Sequence, residues 1–158
     1  MKIKQIRKTL IMAIAVLGLF LTTTGIQAQK YKSSDMPKAV IEAFNKMYPN
    51  ATAIGYDIEN ENGGKFYEVE SKEGDIRRDL LFNADGSISE IEEVIPVSSV
   101  PDNVTAGVYT KYPKGRIIKA QKVTKGSETL YEVVVKNGKK KLEVRLNTNG
   151  EIVGTDND

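Results

Sequence analysis

The side chains of this 158-residue chain that could do chemistry are carboxylates and amines, because it has no His and no Cys. Ser–His and Cys–His nucleophile pairs are thereby excluded, together with the commonest zinc ligands. Carboxylate chemistry is not excluded. Glu68 and Glu132 sit in the same phrase, Tyr-Glu-Val, at residues 67–69 and 131–133, and Glu70 and Glu143 lie near them on strands of the same kind. Two carboxylates at a suitable separation can hydrolyse a glycoside. No cleft-forming insertion accompanies these four residues, so they read first as charge on outward strand positions. A carboxylate-based hydrolase, or a protein binding a small ligand in the periplasm, is therefore the alternative to a non-enzymatic reading.

Other candidates are weaker. Asn83-Ala84-Asp85-Gly86 places Gly86, Asp85 and Asn83 at the sixth, fifth and third positions of a calcium loop, but Leu81 falls where the first ligand, Asp, is needed. The matching stretch Asn147-Thr148-Asn149-Gly150 has no carboxylate, so both read as hairpin turns. Lys139-Lys140-Lys141 reads as a solvated hairpin, and no aromatic interleaving points to nucleic acid. There is no Gly-rich phosphate loop and no nucleophile elbow. The expectation is no metal, no cofactor and no nucleic acid.

The elements that must position these residues begin after a targeting segment. Lys2, Lys4, Arg7 and Lys8 precede an apolar run, Leu10 to Leu21, and Ala28 closes a plausible cleavage site. The run is short of the roughly 20 apolar residues of a membrane span, so residues 1–28 read as a signal peptide. The mature chain would start near Gln29, be periplasmic or secreted, and keep no stable membrane anchor. The whole chain carries 23 basic and 21 acidic residues. Removing four basic ones with the leader gives a mature net charge of −2, so the basic pI carries no weight for nucleic-acid binding.

Displacing the chain against itself by 64 positions aligns Pro37 with Pro101, Tyr48-Pro49 with Tyr112-Pro113, Tyr67-Glu68-Val69 with Tyr131-Glu132-Val133, and Asn83, Gly86 and Ile88 with Asn147, Gly150 and Ile152. The period implies one unit written twice, over 36–95 and 96–158, with Val94 to Ser99 as linker. Val40, Ile41, Phe44, Met47 and Tyr48 recur at helical spacing until Pro49 stops the helix. Thr105 and Gly107 make the second helix the weaker one. Beyond each Tyr-Pro the period becomes two, and Gly-containing turns punctuate four strands. The predicted class is α+β: a tandem of one helix plus a four-stranded antiparallel meander, helices on one face of the sheets and the other face open. The halves differ in sign: residues 36–95 hold 6 basic and 13 acidic residues, whereas 96–158 hold 11 and 7.

Pro-x-x-Val, Tyr-Pro after one helix, Tyr-Glu-Val, Lys-x-Gly and Asn-x-x-Gly-x-Ile resemble the PepSY-like, or β-lactamase-inhibitor-like, family of exported bacterial proteins. The resemblance covers Met36 to Val153. It implies tandem helix-plus-four-strand units whose open sheet face binds a protein, and no enzymatic activity. By strand parity, with Tyr67, Val69, Leu80 and Phe82 facing the helix, the opposite face carries Phe66, Glu68, Glu70, Arg77 and Leu81. In the second half it carries Leu130, Glu132, Val134, Lys141, Glu143 and Arg145. These eleven are the predicted partner-binding residues, for a protein partner. Two explanations compete for the carboxylates of Glu68 and Glu132: cross-strand pairing with a base on the return strand, such as Arg77 or Lys141, or contact with a partner.

Overall fold

Alternating apolar and polar residues between short turns give eight strands. The structure, a computed structural model, describes residues 31–61 and 63–157, so the predicted signal peptide and start at Gln29 lie outside the described residues. In chain order it contains α1 (Lys38–Met47), β1 (Thr52–Glu61), β2 (Gly64–Glu73), β3 (Ile76–Phe82), β4 (Ile88–Ile95), α2 (Asp102–Lys111), β5 (Arg116–Lys125), β6 (Glu128–Asn137), β7 (Lys140–Asn147) and β8 (Ile152–Asn157). All eight strands form one antiparallel sheet in sequential order. The predicted sheets are therefore continuous. Val94 and Ile95 belong to β4, and they pair with Gln121 and Ala120 of β5 across the predicted linker.

The helices lie on one face because one stripe of each is apolar. Val40 and Phe44 of α1 pack on Val69, Leu80 and Phe82, with Tyr48, Tyr56 and Tyr67 around them. Val104 and Val108 of α2 pack on Val133, Val135, Val144 and Leu146. The expected weakness of α2 does not shorten it, since both helices have ten residues. Gly107 instead permits a close approach: a Cβ there would collide with the carbonyl oxygen of Gly150 in the β7–β8 turn. In the first half the corresponding residue is Ala43, which lies near the matching turn glycine, Gly86.

A cluster of charged groups is held on the helix side. Arg78 donates from Nε to Glu93 at 2.7 Å and from Nη1 to Glu73 at 3.1 Å, and its guanidinium sits 5.0 Å from the centre of the Tyr48 ring. It thus ties β2, β3, β4 and the end of α1 together.

Among the described residues the other face has no helix, yet part of it is buried. Glu90, Gln121, Val123, Glu132 and Val134 are each 2–6% exposed. No second layer of described residues covers them, and the sheet coils about this face. The same coiling brings β1 and β5, four strand spacings or about 19 Å apart along the sheet, to the rim of one groove.

Candidate functional site

Two-residue turns fix the register that builds this face. Gly74-Asp75 sets Glu73 opposite Ile76, and Gly138-Lys139 sets Asn137 opposite Lys140. Counting back from the turns, Glu68 lies between Asp57 and Leu81, and Glu132 lies between Gln121 and Arg145. All eleven predicted residues share the helix-free face. Phe66 is opposite Glu59, and Glu70 is between Gly55 and Asp79. Arg77 is opposite Lys72, and Leu81 is between Glu68 and Glu90. Leu130 is between Val123 and Asn147, and Val134 is between Lys119 and Glu143. Lys141 is opposite Lys136, Glu143 also faces Asp156, and Arg145 also faces Gly154.

The candidate ion pairs are corrected by this register. The cation of Glu132 is Arg145, whose Nε is 3.1 Å from Oε2, and not Lys141. Glu68 stands opposite an apolar residue and another acid rather than opposite Arg77. Glu132 and Val134 are also not outward surface: they are 2% and 6% exposed. The oppositely charged halves do meet at their seam, where Lys125 lies 3.2 Å from Glu90 and Lys122 stands opposite Glu93.

Parity counted along every strand would have found further members of the face: Asp79, Glu90, Glu92, Lys119 and Gln121. Asp79, Glu90 and Glu92 make the face densely acidic in the first half. Burial, then the charges of Asp79, Glu59, Glu70 and Asp57, push the Glu68 carboxyl up to about 8. Burial, then Glu132, Glu90 and Asp79, push Glu92 up to about 8 against the pull of Arg145. Burial, then Glu70, raise Asp79 to about 6, although Arg77 opposes this. Burial, then Glu132, raise Glu143 to about 7, again opposed by Arg145. Near neutral pH several of these groups therefore carry a proton, and they can donate hydrogen bonds as well as accept them. Among the described residues no cluster of acids is arranged to hold a metal ion. Asp85 accepts from the Ser87 hydroxyl at 2.6 Å and the Ser87 N–H at 2.9 Å, which closes its loop as a hairpin turn.

A groove of about 420 Å³ lies where β3 and β4 part. Their last pair is Arg78 with Glu93, so Val94 and Ile95 follow β5 instead. Ile54, Val94, Val97 and Ile118 supply its apolar wall, and Glu70, Arg77, Asp79, Lys119 and Gln121 its polar one. Ile54 and Ile118 are the bulged residues of β1 and β5, at matching places in the two halves. Ile54, Val94 and Val97 are each 40–42% exposed, a concentration of apolar surface at one point.

Known proteins resemble this arrangement. A protein of the DUF2874 family from Bacteroides uniformis has 19% identity and a TM-score of 0.65, covering 77% of this chain and 88% of its own. A BLIP-like protein from Bacteroides fragilis has 20% identity and a TM-score of 0.62, covering 81% and 89%. A candidate periplasmic protein from Bacteroides eggerthii has 19% identity and a TM-score of 0.64, covering 77% and 88%. At these identities the likeness is one of fold. No curated protein matches the chain. In sequence, the pattern of the PepSY-like family, described as β-lactamase-inhibitor-like, matches residues 23–89 and again 66–153. Those two matches span most of the chain, including both helices and seven strands in full, and the chain belongs to the PepSY-like, β-lactamase-inhibitor-like family.

Proposed function

We propose that the chain is an exported, non-enzymatic binding module of the cell envelope that meets a protein partner with its helix-free face, centred on the groove between β1, β3, β4 and β5. The observation that carries this reading is the groove itself. It gathers Ile54, Val94 and Val97, exposed and apolar, inside a rim of acids and bases. An apolar centre with a charged rim is how protein-binding surfaces are built. The family supports a binding role through its inhibitor-like description, and the periplasmic description of a neighbouring fold supports export. The basic and apolar residues ahead of Ala28 are read as the leader. The helix-plus-meander halves, 36–95 and 96–158, are read as two copies of one unit.

The test uses the chain from Gln29 onward, immobilised to capture its partner from a periplasmic extract. Ile54→Asp and Val97→Asp place a charge in the apolar wall and are expected to weaken retention about 10–100-fold. Met47→Asp, on the helix side and 45% exposed, is expected to leave retention unchanged. Full retention by both groove variants, each shown to be folded, rejects the groove as the binding site.

A further inference from the structure

On the same face, four side chains from four consecutive strands stand in series. Gln121 of β5 donates from Nε2 to Glu92 Oε2 of β4 at 3.1 Å. Gln121 stands directly opposite Glu132 of β6, which accepts from Arg145 Nε of β7 at 3.1 Å. The series has a defect. Gln121 Oε1 and Glu132 Oε1 are both buried and neither has a hydrogen-bond partner. Gln121 is 4% exposed and Glu132 2%. Two unmet acceptors on facing residues each call for a donor, and Glu143, a hydrogen-bond partner of Glu132 when protonated, can serve only the second of them.

A half-turn of the Gln121 amide exchanges its oxygen and its nitrogen. Nε2 can then donate to Glu132 Oε1, and Oε1 faces Glu92. That leaves Oε1 needing a donor, and an O–H on Glu92 is one. A single added proton thus satisfies both orphan atoms. We propose that Glu92, Gln121, Glu132 and Arg145 form a proton-gated hydrogen-bond chain across the seam of the two halves. With the proton on Glu92 the chain runs unbroken from β4 to β7: Glu92 donates to Gln121, Gln121 to Glu132, and Arg145 to Glu132. Without it the amide turns back to serve the Glu92 anion, and the link to Glu132 opens.

The groups around Glu92 favour the proton. Asp79 of β3 stands opposite it, Glu90 neighbours it on β4, and Glu132 lies beyond Gln121. The cations are turned to other acids. Lys125 of β5 binds Glu90, and Arg145 binds Glu132 and lies 3.7 Å from Glu143. Val123, the β5 residue opposite Glu92, is apolar and buried. Burial and these carboxylates hold Glu92 at about 8, which puts the switch just above neutrality. Gln121 also lines the groove, so the same proton sets which end of its amide that wall presents. That consequence rests on the binding reading, whereas the hydrogen-bond chain does not.

The test is a pH titration, from 5 to 9.5, of the chain from Gln29 onward, with its side-chain carboxyl carbons and Gln amide nitrogens followed by NMR. Glu92 is expected to titrate near 8, and the Gln121 side-chain amide signals to shift with the same midpoint. In Glu92→Gln, whose amide donates at every pH, the Gln121 signals are expected to stay fixed at their low-pH position. A Glu92 midpoint in the ordinary carboxylate range overturns the proposal. So does a Gln121 amide that ignores the titration of Glu92. Both of these readouts come from the unsubstituted chain, so a variant that failed to fold would not remove the test.

Discussion

In urea, the chain from Gln29 onward is expected to unfold at a higher concentration at pH 5 than at pH 9. The direction follows from the raised carboxyls. Glu68 and Glu92 are held at about 8 in the folded chain against an ordinary 4.5. Between those values the folded state keeps protons that the unfolded state has released. Stability is then fully present below about pH 4.5 and is lost as pH rises through about 8. Asp79, raised from 3.8 to about 6, adds a loss at the lower end of the same window. One such group alone would give a loss of about 3–5 kcal/mol. Asp79 repels both glutamates, so their losses overlap, and the total is expected at about 4–6 kcal/mol. This trend is opposite to that of proteins whose carboxylates are ion-paired, which gain stability over the same range. Urea midpoints followed by circular dichroism at pH 5, 7 and 9 check it. A midpoint that rises from pH 5 to 9 contradicts it.

The second large effect is steric. Gly150 has φ +83°, and a Cβ on it would run into the Asn103 carbonyl of α2. Asn103 Nδ2 also donates to the Thr148 carbonyl, so the helix start is bonded to the turn it presses on. Gly107 faces the Gly150 carbonyl one turn further along. Helix and turn therefore meet backbone to backbone, and neither side can yield without lifting α2 off Val144 and Leu146. Gly150→Ala combines left-handed strain with this collision and is expected to cost about 3 kcal/mol or more, enough to melt the second half. Gly138→Ala is the control. It has φ +64° but nothing within 4 Å of the added Cβ, so only the strain of about 1–2 kcal/mol applies. Thermal unfolding of the two variants side by side measures the collision as their difference. Equal melting temperatures would show that α2 does not press on the turn.

Much of this fold is legible in the sequence because backbone geometry restricts the residues that repeat. Tyr67, Val69, Leu80 and Phe82 reach the helix side because alternation fixes the face of a strand residue. The register was legible too. A two-residue turn at Gly138-Lys139 makes Asn137 face Lys140, and five steps back Glu132 faces Arg145. Counting residues from that turn would have rejected Lys141 as its partner. Depth was not legible. Alternation gives the side of a sheet but not its coiling, and a flat sheet and a coiled one share the same pattern. Glu132 and Val134 therefore read as surface and are buried. The groove was hidden for a related reason. It exists because β4 leaves β3 after Glu93 to stay with β5, a choice between two pairing partners that no local pattern records.

The central claim, that the groove at the seam is where the partner binds, is tested most directly by methyl NMR of the chain labelled at Ile, Val and Met, with and without the captured partner. The methyls of Ile54, Val94, Val97 and Ile118 are expected to shift or broaden, while Met47 on α1 and the exposed Val153 on β8 stay in place. Perturbation confined to Met47 and Val153, with the four groove residues unmoved, would contradict the account.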